Sequence, residues 1–302
     1  MNSFISWIGG KKALRDEILA RFPLNYSRYI EAFGGGGWVL FHKPAGNDFE
    51  VYNDLNPNLV NLYRCVREHP EEFIEELTYS LNSRADFEYM RKTLKSGIEI
   101  PDIRRAAYFY QLIRYSYASS VDSFGGQPHS MWSNFPVIRE ACARLQKVVI
   151  ENKDFEKLIR QYDRPDAFFY CDPPYFHTED YYDDVNFTEK DHERLAGALC
   201  NMQGRFLLSY NDCPEIRELY SRKGVYIEAT ERLSNIAQRY EGGKMYAELL
   251  ISNYDTSERI SSFGQMTFFD LESSEQSLSD RKIIRASGEE TKEAKEQGGA
   301  KE

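Results

Sequence analysis

Residues 167–175 read Ala-Phe-Phe-Tyr-Cys-Asp-Pro-Pro-Tyr: five apolar or aromatic positions, then a carboxylate, two prolines and a ring. Such a run without polar alternation fits a strand buried on both faces, as in a parallel sheet covered by helices. Asp172 then stands at the strand's C-terminal end, where open α/β sheets bind their ligands. Pro173 and Pro174 have a fixed φ and no N–H, which leaves their carbonyls free and rigidly aimed. Tyr175 adds a flat ring. Together these four can hold a planar amine. Asp172 and the Pro173 carbonyl accept its two hydrogens, and Tyr175 stacks on its ring. The grip draws the nitrogen lone pair out of conjugation, so that it can attack an electrophile. The plainer reading is a Pro-Pro turn that closes the strand, with Asp172 as its cap.

Outward from this strand, runs rich in β-branched and aromatic residues recur at 28–33, 50–53, 148–151, 205–210, 224–229 and 245–254. Helical periodicity lies between them, at 11–21, 57–68, 154–162, 189–202 and 214–222. Pro57 and Pro214 sit where first helical turns begin. Strands alternating with helices predict a mainly parallel, Rossmann-like sheet covered on both faces. Only a loop separates the last two strands, which predicts a C-terminal antiparallel pair. Between 63 and 139 the alternation stops. Helical patterns run over 70–82, 84–95 and 102–118, followed by a Ser/Gly/Pro-rich stretch at 119–136. The expectation is a core of residues 1–62 and 140–256, a helical insert at 63–139, and a polar, disordered tail at 257–302.

Composition bounds the function classes. The 302 residues carry 38 Lys+Arg against 48 Asp+Glu, a net charge of −10. Nucleic-acid binders show a basic footprint, and the total alone argues against one. The distribution reopens the question, because residues 84–147 hold ten basic against six acidic side chains. An acidic body can carry one basic face. The five cysteines (Cys65, Cys142, Cys171, Cys200 and Cys213) form no Cys-x-x-Cys pair. That spacing speaks against a zinc site or a disulfide framework and for a reducing compartment. No apolar run approaches the roughly 18 residues that cross a bilayer. The opening MNSFISWIGGKKAL lacks the order of a secretion signal. A cytoplasmic protein is expected.

Two further segments suggest a ligand. Tyr29-Ile30-Glu31-Ala32-Phe33 runs into Gly34-Gly35-Gly36-Gly37 and then Trp38-Val39. Consecutive glycines after a strand let backbone approach a ligand closely, although a simple flexible turn reads the same way. No Gly-Lys-Ser/Thr follows, so the turn is not a P-loop. Val51-Tyr52-Asn53-Asp54 then puts an acid at the end of the next strand, 17 positions beyond Gly37. That spacing suits hydrogen bonds to ribose hydroxyls; the alternative is a helix N-cap supplied by Asp54 or Asn56.

In this order, Trp7, Gly9-Gly10-Lys11, the glycine turn, Asn53-Asp54, a helical insert and Asp-Pro-Pro-Tyr resemble the Dam-like (D12 class) DNA adenine N6-methyltransferases, over residues 4–254. The resemblance implies an S-adenosylmethionine-dependent methyltransferase fold with an inserted target-recognition domain. It implies methyl transfer, without a metal, to an adenine flipped out of double-stranded DNA. Trp7, Lys11, Glu31, Phe33, Gly35, Gly37 and Asp54 match the positions that surround the cofactor. Asn152-Lys153-Asp154-Phe155 is similar to the segment contacting its adenine, which adds Asp154 and Phe155; Asp172 borders both cofactor and target. Phe176, Tyr181, Tyr182 and Phe187 are candidates for walling the flipped base, with core packing the simpler role for each. His177 and His192 are expected to be surface or structural residues.

The resemblance has departures. Ala32 stands where the family has proline. Arg114-Tyr115-Ser116-Tyr117 only partly matches the target-reading segment of GATC-specific members, which carry asparagine after the Arg-Tyr pair. Serine cannot read a base edge bidentately, so GATC specificity does not carry over. Arg114 and Tyr115 are candidates for base contact or for filling the gap left by the flipped base; Arg104 and Arg105 read as phosphate contacts, with a solvated helix face as the alternative. Other planar amines remain open as acceptors (a cytosine N4, an RNA adenine, a glutamine amide), as does a catalytically silent DNA-binding protein. Gln265, Met266, Phe268 and Phe269 lie outside the resemblance. They are similar to the glutamine-led peptides that bind the bacterial replication sliding clamp; packing onto the chain's own body is the alternative.

Overall fold

In a computed structural model of the chain, β4 (Ala167–Cys171) is buried at all five positions. The structure describes residues 1–177, 187–233 and 245–257. Two parallel strands flank β4: β1 (Arg28–Glu31) and β5 (Arg205–Asn211). Beyond β1 lie β2 (Phe49–Asn53) and β3 (Val148–Glu151), also parallel. With β6 (Tyr226–Leu233) and β7 (Met245–Ser252), the described residues form a seven-stranded sheet in the order β3-β2-β1-β4-β5-β7-β6. The expected antiparallel pair of β6 and β7 is present. In addition β7 inserts between β6 and β5, antiparallel to both. Strand adjacency of this kind depends on tertiary pairing, and loop length does not encode it.

Successive strand residues face opposite layers. Tyr29, Tyr52, Phe168, Tyr170 and Leu207 enter one buried core. Their neighbours Ile30, Val51, Phe169, Cys171 and Leu208 enter the other. Local chemistry sets the helix starts. The Asn56 side chain accepts the Asn58 and Leu59 N–H groups (3.0 and 3.2 Å) and caps α3 (Pro57–Glu68), with Pro57 in its first turn. Asp154 caps α8 (Phe155–Tyr162), and a Thr188–Asp191 capping box opens α9 (Glu189–Cys200). Pro214 begins α10 (Pro214–Tyr220). The helix expected over 11–21 is confined to α1 (Arg15–Ala20), because the chain before it turns through the site at Gly9 (φ +74°) and Lys11. A short helix, α2 (Trp38–His42), follows the glycine turn; five residues are too few to show a period.

The insert contains α4 (Pro70–Thr78), α5 (Arg84–Lys95) and α6 (Asp102–Tyr115), and the chain returns through α7 (Phe135–Leu145). The expected boundaries at 62/63 and 139/140 both fall inside helices, α3 and α7. The two are continuous because each carries buried residues on either side of its expected break: Leu62 and Tyr63 in α3, Ile138 and Ala141 in α7. α6 packs against α3, α4 and α5. It buries Phe109, Tyr110, Leu112, Ile113 and Tyr115 in the same core as Phe4, Phe41 and Tyr63. Residues 1–256 therefore form one compact unit. No helix among the described residues is long and apolar enough to cross a membrane. Tyr181, Tyr182, Gln265, Met266, Phe268 and Phe269 lie outside the described residues.

Candidate active site

Strand order reverses between β1 and β4, the position at which open parallel sheets bind ligands beyond their carboxyl ends. Glu31 is the last residue of β1, and Asp172 directly follows β4. Asn53, buried at the end of β2, draws the neighbouring strand ends together. Its Nδ2 donates to the carbonyls of Ala32 (2.8 Å) and Lys153 (3.0 Å), and its Oδ1 accepts the Lys153 N–H (2.9 Å).

The glycine turn is a fixed structure. Gly35 and Gly37 adopt φ +48° and +62°, which L side chains rarely tolerate. A Cβ on Gly37 would lie 2.8 Å from the Tyr63 hydroxyl. The Tyr52 and Tyr63 hydroxyls both donate to the Gly35 carbonyl (2.8 and 3.2 Å). The Gly35 N–H in turn donates to Asp54 Oδ2 (2.8 Å). Asp54 Oδ1 accepts the Asn56 N–H (2.8 Å), while Asn56 caps α3. Asp54 thus braces the turn, and the capping falls to its neighbour. Burial raises the Asp54 pKa above the ordinary aspartate value.

A cavity of about 270 Å³ opens between these ends. Of the residues expected at the cofactor, Trp7, Lys11, Glu31, Phe33, Gly35, Asp54, Asp154, Phe155 and Asp172 line it. Gly37 does not, because its backbone serves as the N-cap of α2. One end of the cavity is aromatic: the rings of Phe33, Phe155 and Phe187 lie 5.6–5.9 Å apart, centroid to centroid. Phe187 belongs to this cluster. Arg194, which sequence reasoning did not single out, covers Phe155 at 4.9 Å and pairs with Asp154, Glu156 and Asp191. Asp154 caps its helix, faces the cavity and meets Arg194 at once.

The other end is charged. Glu31 is buried, accepts the Tyr29 hydroxyl (2.7 Å), and burial pushes its pKa up to about 8. The Lys11 ammonium, 3% exposed, lies 2.5 Å from Asp172 Oδ1 and 4.7 Å from the Tyr175 ring centroid. It also donates to the Gly9 carbonyl (3.1 Å). Burial raises the Asp172 pKa, and Lys11 opposes that rise. Among the described residues, the Asp172 side chain meets Lys11 and Ser209. Pro174 lines the cavity beside it, and Pro173 is buried. Asn211 then clamps the chain after the motif: its side chain accepts the Phe176 N–H and donates to the Phe176 carbonyl, both at 3.1 Å. His192 is buried against Tyr210 (2.5 Å), and His177 is exposed beside Glu215. Among the described residues, no three His, Cys, Asp or Glu side chains group as a metal site.

The residues expected at DNA stand apart from this cavity. Arg104 is held by both carboxylate oxygens of Glu76 (3.3 and 3.1 Å), beside a hollow bordered by Glu72, Glu75 and Asp86. Arg105 bonds Asn58 and the Ile98 carbonyl. Arg114 donates to the Phe4 carbonyl (2.7 Å) and to the Tyr110 hydroxyl (3.2 Å). Tyr115 is 4% exposed and packs beside His129. The insert reaches the cavity through another segment, Ser119 to Asp122, with Lys95. Ala118, Ser119 and Val121 there have φ of +52°, +60° and +67°, costly for a β-branched valine above all. The only sequence signal was the Ser-rich composition.

A mainly parallel sheet reversing between β1 and β4, with a braced glycine turn, Asp172 and Pro174 on one cavity, is the architecture of a Rossmann-like methyltransferase; Pro173 and Tyr175 do not line that cavity. Residues 7–239 match the family model of the D12 class N6 adenine-specific DNA methyltransferases, and the chain belongs to that family. Type II methyltransferase M1.LlaDCHI of Lactococcus lactis subsp. cremoris is 27% identical over 279 residues, covering 84% of this chain and 96% of that protein. The retron Ec67 DNA adenine methylase of Escherichia coli is 28% identical over 236 residues, 73% of this chain and 81% of the relative. A DNA adenine methylase of Haemophilus influenzae is 29% identical over 186 residues, 57% and 63% of the two chains. The chain is an adenine-specific DNA methyltransferase, and the acceptor left open by the residues alone is the adenine N6 of DNA.

Proposed function

We propose that this cavity holds S-adenosylmethionine and that the Asp172–Tyr175 segment grips the target adenine beside it. The observation that carries this reading is the continuity of one cavity from the aromatic cluster and glycine turn to Asp172 and Pro174. The residues fit the group. Phe33, Phe155 and Phe187 suit its adenine, Asp54 its ribose, and Trp7, Lys11 and Glu31 its amino-acid end. Backbone at Gly35 can come close because no Cβ intervenes.

When bound, S-adenosylmethionine supplies an electrophilic methyl group. The chain's own work is positioning. The target base must leave the duplex to reach a recessed grip. Asp172 and the Pro173 carbonyl accept the two N6 hydrogens, and Tyr175 stacks on the ring. Lys11 lies over the face of Tyr175, so its ammonium withdraws as the base enters. Arg104 and Arg105 reach phosphates only after releasing Glu76 and Asn58, and Arg114 and Tyr115 reach bases only after leaving the insert's core.

Labelled S-adenosylmethionine and mixed-sequence duplex DNA test the whole reading. N6-methyladenine in the digest supports it, and the modified positions give the recognition site. No label in DNA from protein that binds the cofactor overturns the proposed acceptor. The sequence of Gln265, Met266, Phe268 and Phe269 supports a tether to the sliding clamp in the cytoplasm; a 260–272 peptide that fails to bind purified clamp removes that idea.

A further inference from the structure

Ser209 lies on β5, one residue beyond Leu208, which pairs with Cys171. That register puts its side chain beside Asp172. Ser209 is fully buried. Its Oγ is 3.0 Å from Asp172 Oδ1, 3.1 Å from the Tyr170 hydroxyl and 3.5 Å from the Cys171 carbonyl. A serine hydroxyl has one proton to donate. The nearer and charged acceptor is Asp172, so the proton goes there, and the Tyr170 hydroxyl donates to the Ser209 oxygen in turn. The order is Tyr170 to Ser209 to Asp172. Lys11 reaches the same carboxylate oxygen, Oδ1, from the cavity side.

We propose that Ser209, relayed from Tyr170, is a positioning residue for methyl transfer: it holds Oδ1 of Asp172 and so fixes the orientation of the carboxylate that is presented to the adenine amine. This inference rests on the amine-grip reading above. A carboxylate free to rotate would share its lone pairs between the cavity and the protein. One pinned by a buried hydroxyl keeps a single orientation even when Lys11 withdraws. The hydroxyl has a second consequence. Asp172 is faced by Lys11 from the N-terminal segment, Glu31 from β1, Tyr170 from β4, Glu248 from β7 and Tyr175 beyond it. Burial and Glu248 favour its protonated form, while Lys11 and Ser209 favour the carboxylate that accepts an amine hydrogen.

The test compares full-length wild type, Ser209→Ala, Ser209→Thr, Tyr170→Phe and Asp172→Ala. The measurements are kcat against pH, S-adenosylmethionine Kd and Tm. Ser209→Ala is expected to lower kcat about ten- to a hundredfold, the range for a lost hydrogen bond to a charged group. Cofactor Kd should not change, and the acid limb of the kcat profile should move to higher pH. Ser209→Thr keeps the hydroxyl and should restore the limb. Should its added methyl unfold the chain, Tyr170→Phe is the second probe, with a smaller fall and a shift in the same direction. Wild-type kcat in Ser209→Ala, or a lower kcat with an unmoved limb, overturns the positioning role. Either result leaves the amine grip standing, provided Asp172→Ala is inactive. An active Asp172→Ala, or a wild type that methylates no adenine, overturns both.

Discussion

The carboxyl end of the sheet and the helical insert are built on different rules. At the sheet end, functional side chains sit where strands stop, and strand register fixes their positions. Glu31, Asn53 and Asp172 reach one cavity because β1, β2 and β4 end together. In the insert, the residues expected from the sequence to meet DNA are tied to the chain itself: Arg104 to Glu76, Arg114 to Phe4, Tyr115 in the core. The first region holds its polar groups in place around an open cavity, and the arginines of the second are already paired within the chain. The largest test of that contrast is Asp172→Ala. Loss of a preorganised polar contact to the reacting group should lower transfer about a thousandfold or more. S-adenosylmethionine affinity should survive. An active variant would mean that the sheet end positions the cofactor alone.

Next come substitutions that separate packing from recognition. Tyr115→Ala empties a buried aromatic site and should cost about 3–5 kcal/mol of stability, read as a fall in Tm. Were Tyr115 a base-contacting side chain in the resting protein, DNA affinity would fall and Tm would not. Gly37→Ala makes the matching probe at the sheet end. A Cβ there meets the Tyr63 hydroxyl at φ +62°, and the expected cost is about 1–3 kcal/mol. Weaker cofactor binding should accompany it, because the turn that includes Gly35 would shift.

This contrast also explains what the sequence disclosed. Strand ends are legible because an apolar run followed by Asp172, or by Glu31 and glycines, marks both an element and its polar terminus. Asn56 was legible as a cap from Pro57 behind it, whereas the capping role of Asp154 came only with the structure. The Phe33, Phe155 and Phe187 cluster was only half legible, since its rings come from three separated segments in a chain with 19 phenylalanines. Arg194 and the 119–122 loop were missed for the same reason. Their place at the cavity follows from how α9 and the insert pack, and no local pattern carries it. Composition shows the basic excess at 84–147 but not its pairing in space, where Arg104, Arg139 and Arg144 meet acidic partners from other elements, Glu76, Glu71 and Glu50.

A smaller effect follows from Glu31, buried at the sheet end with a pKa near 8 against an ordinary 4.5. The unfolded chain ionises it near 4.5 and the folded chain only near 8. Between those values the unfolded state binds fewer protons, so the group's contribution to stability falls as pH rises. A cationic ligand beside Glu31 favours the carboxylate and releases a proton on binding. S-adenosylmethionine affinity should therefore rise by up to about tenfold per pH unit below 8 and level off above it. Glu31→Gln should flatten both trends, as measured by calorimetric titration in buffers of different ionisation enthalpy. A pH-independent affinity in the wild type would place the ligand's charge away from Glu31.

The smallest effect belongs to Arg104, and it tests the insert most directly. If its guanidinium stays with Glu76 in the DNA complex, Arg104→Ala should leave the salt dependence of DNA affinity unchanged. If the pair opens and Arg104 takes a phosphate, the slope of log K against log salt should fall in magnitude by about one, uniformly across sequences. Glu76→Gln separates the two further. Freed from its carboxylate partner, Arg104 would bind DNA more tightly only if it faces the phosphates. The hollow beside it is bordered by Glu72, Glu75 and Asp86, a negative surface that repels a duplex. The expected result is therefore no change in either variant. The insert would then approach DNA through the face that carries the 119–122 loop and Lys95, next to the cavity.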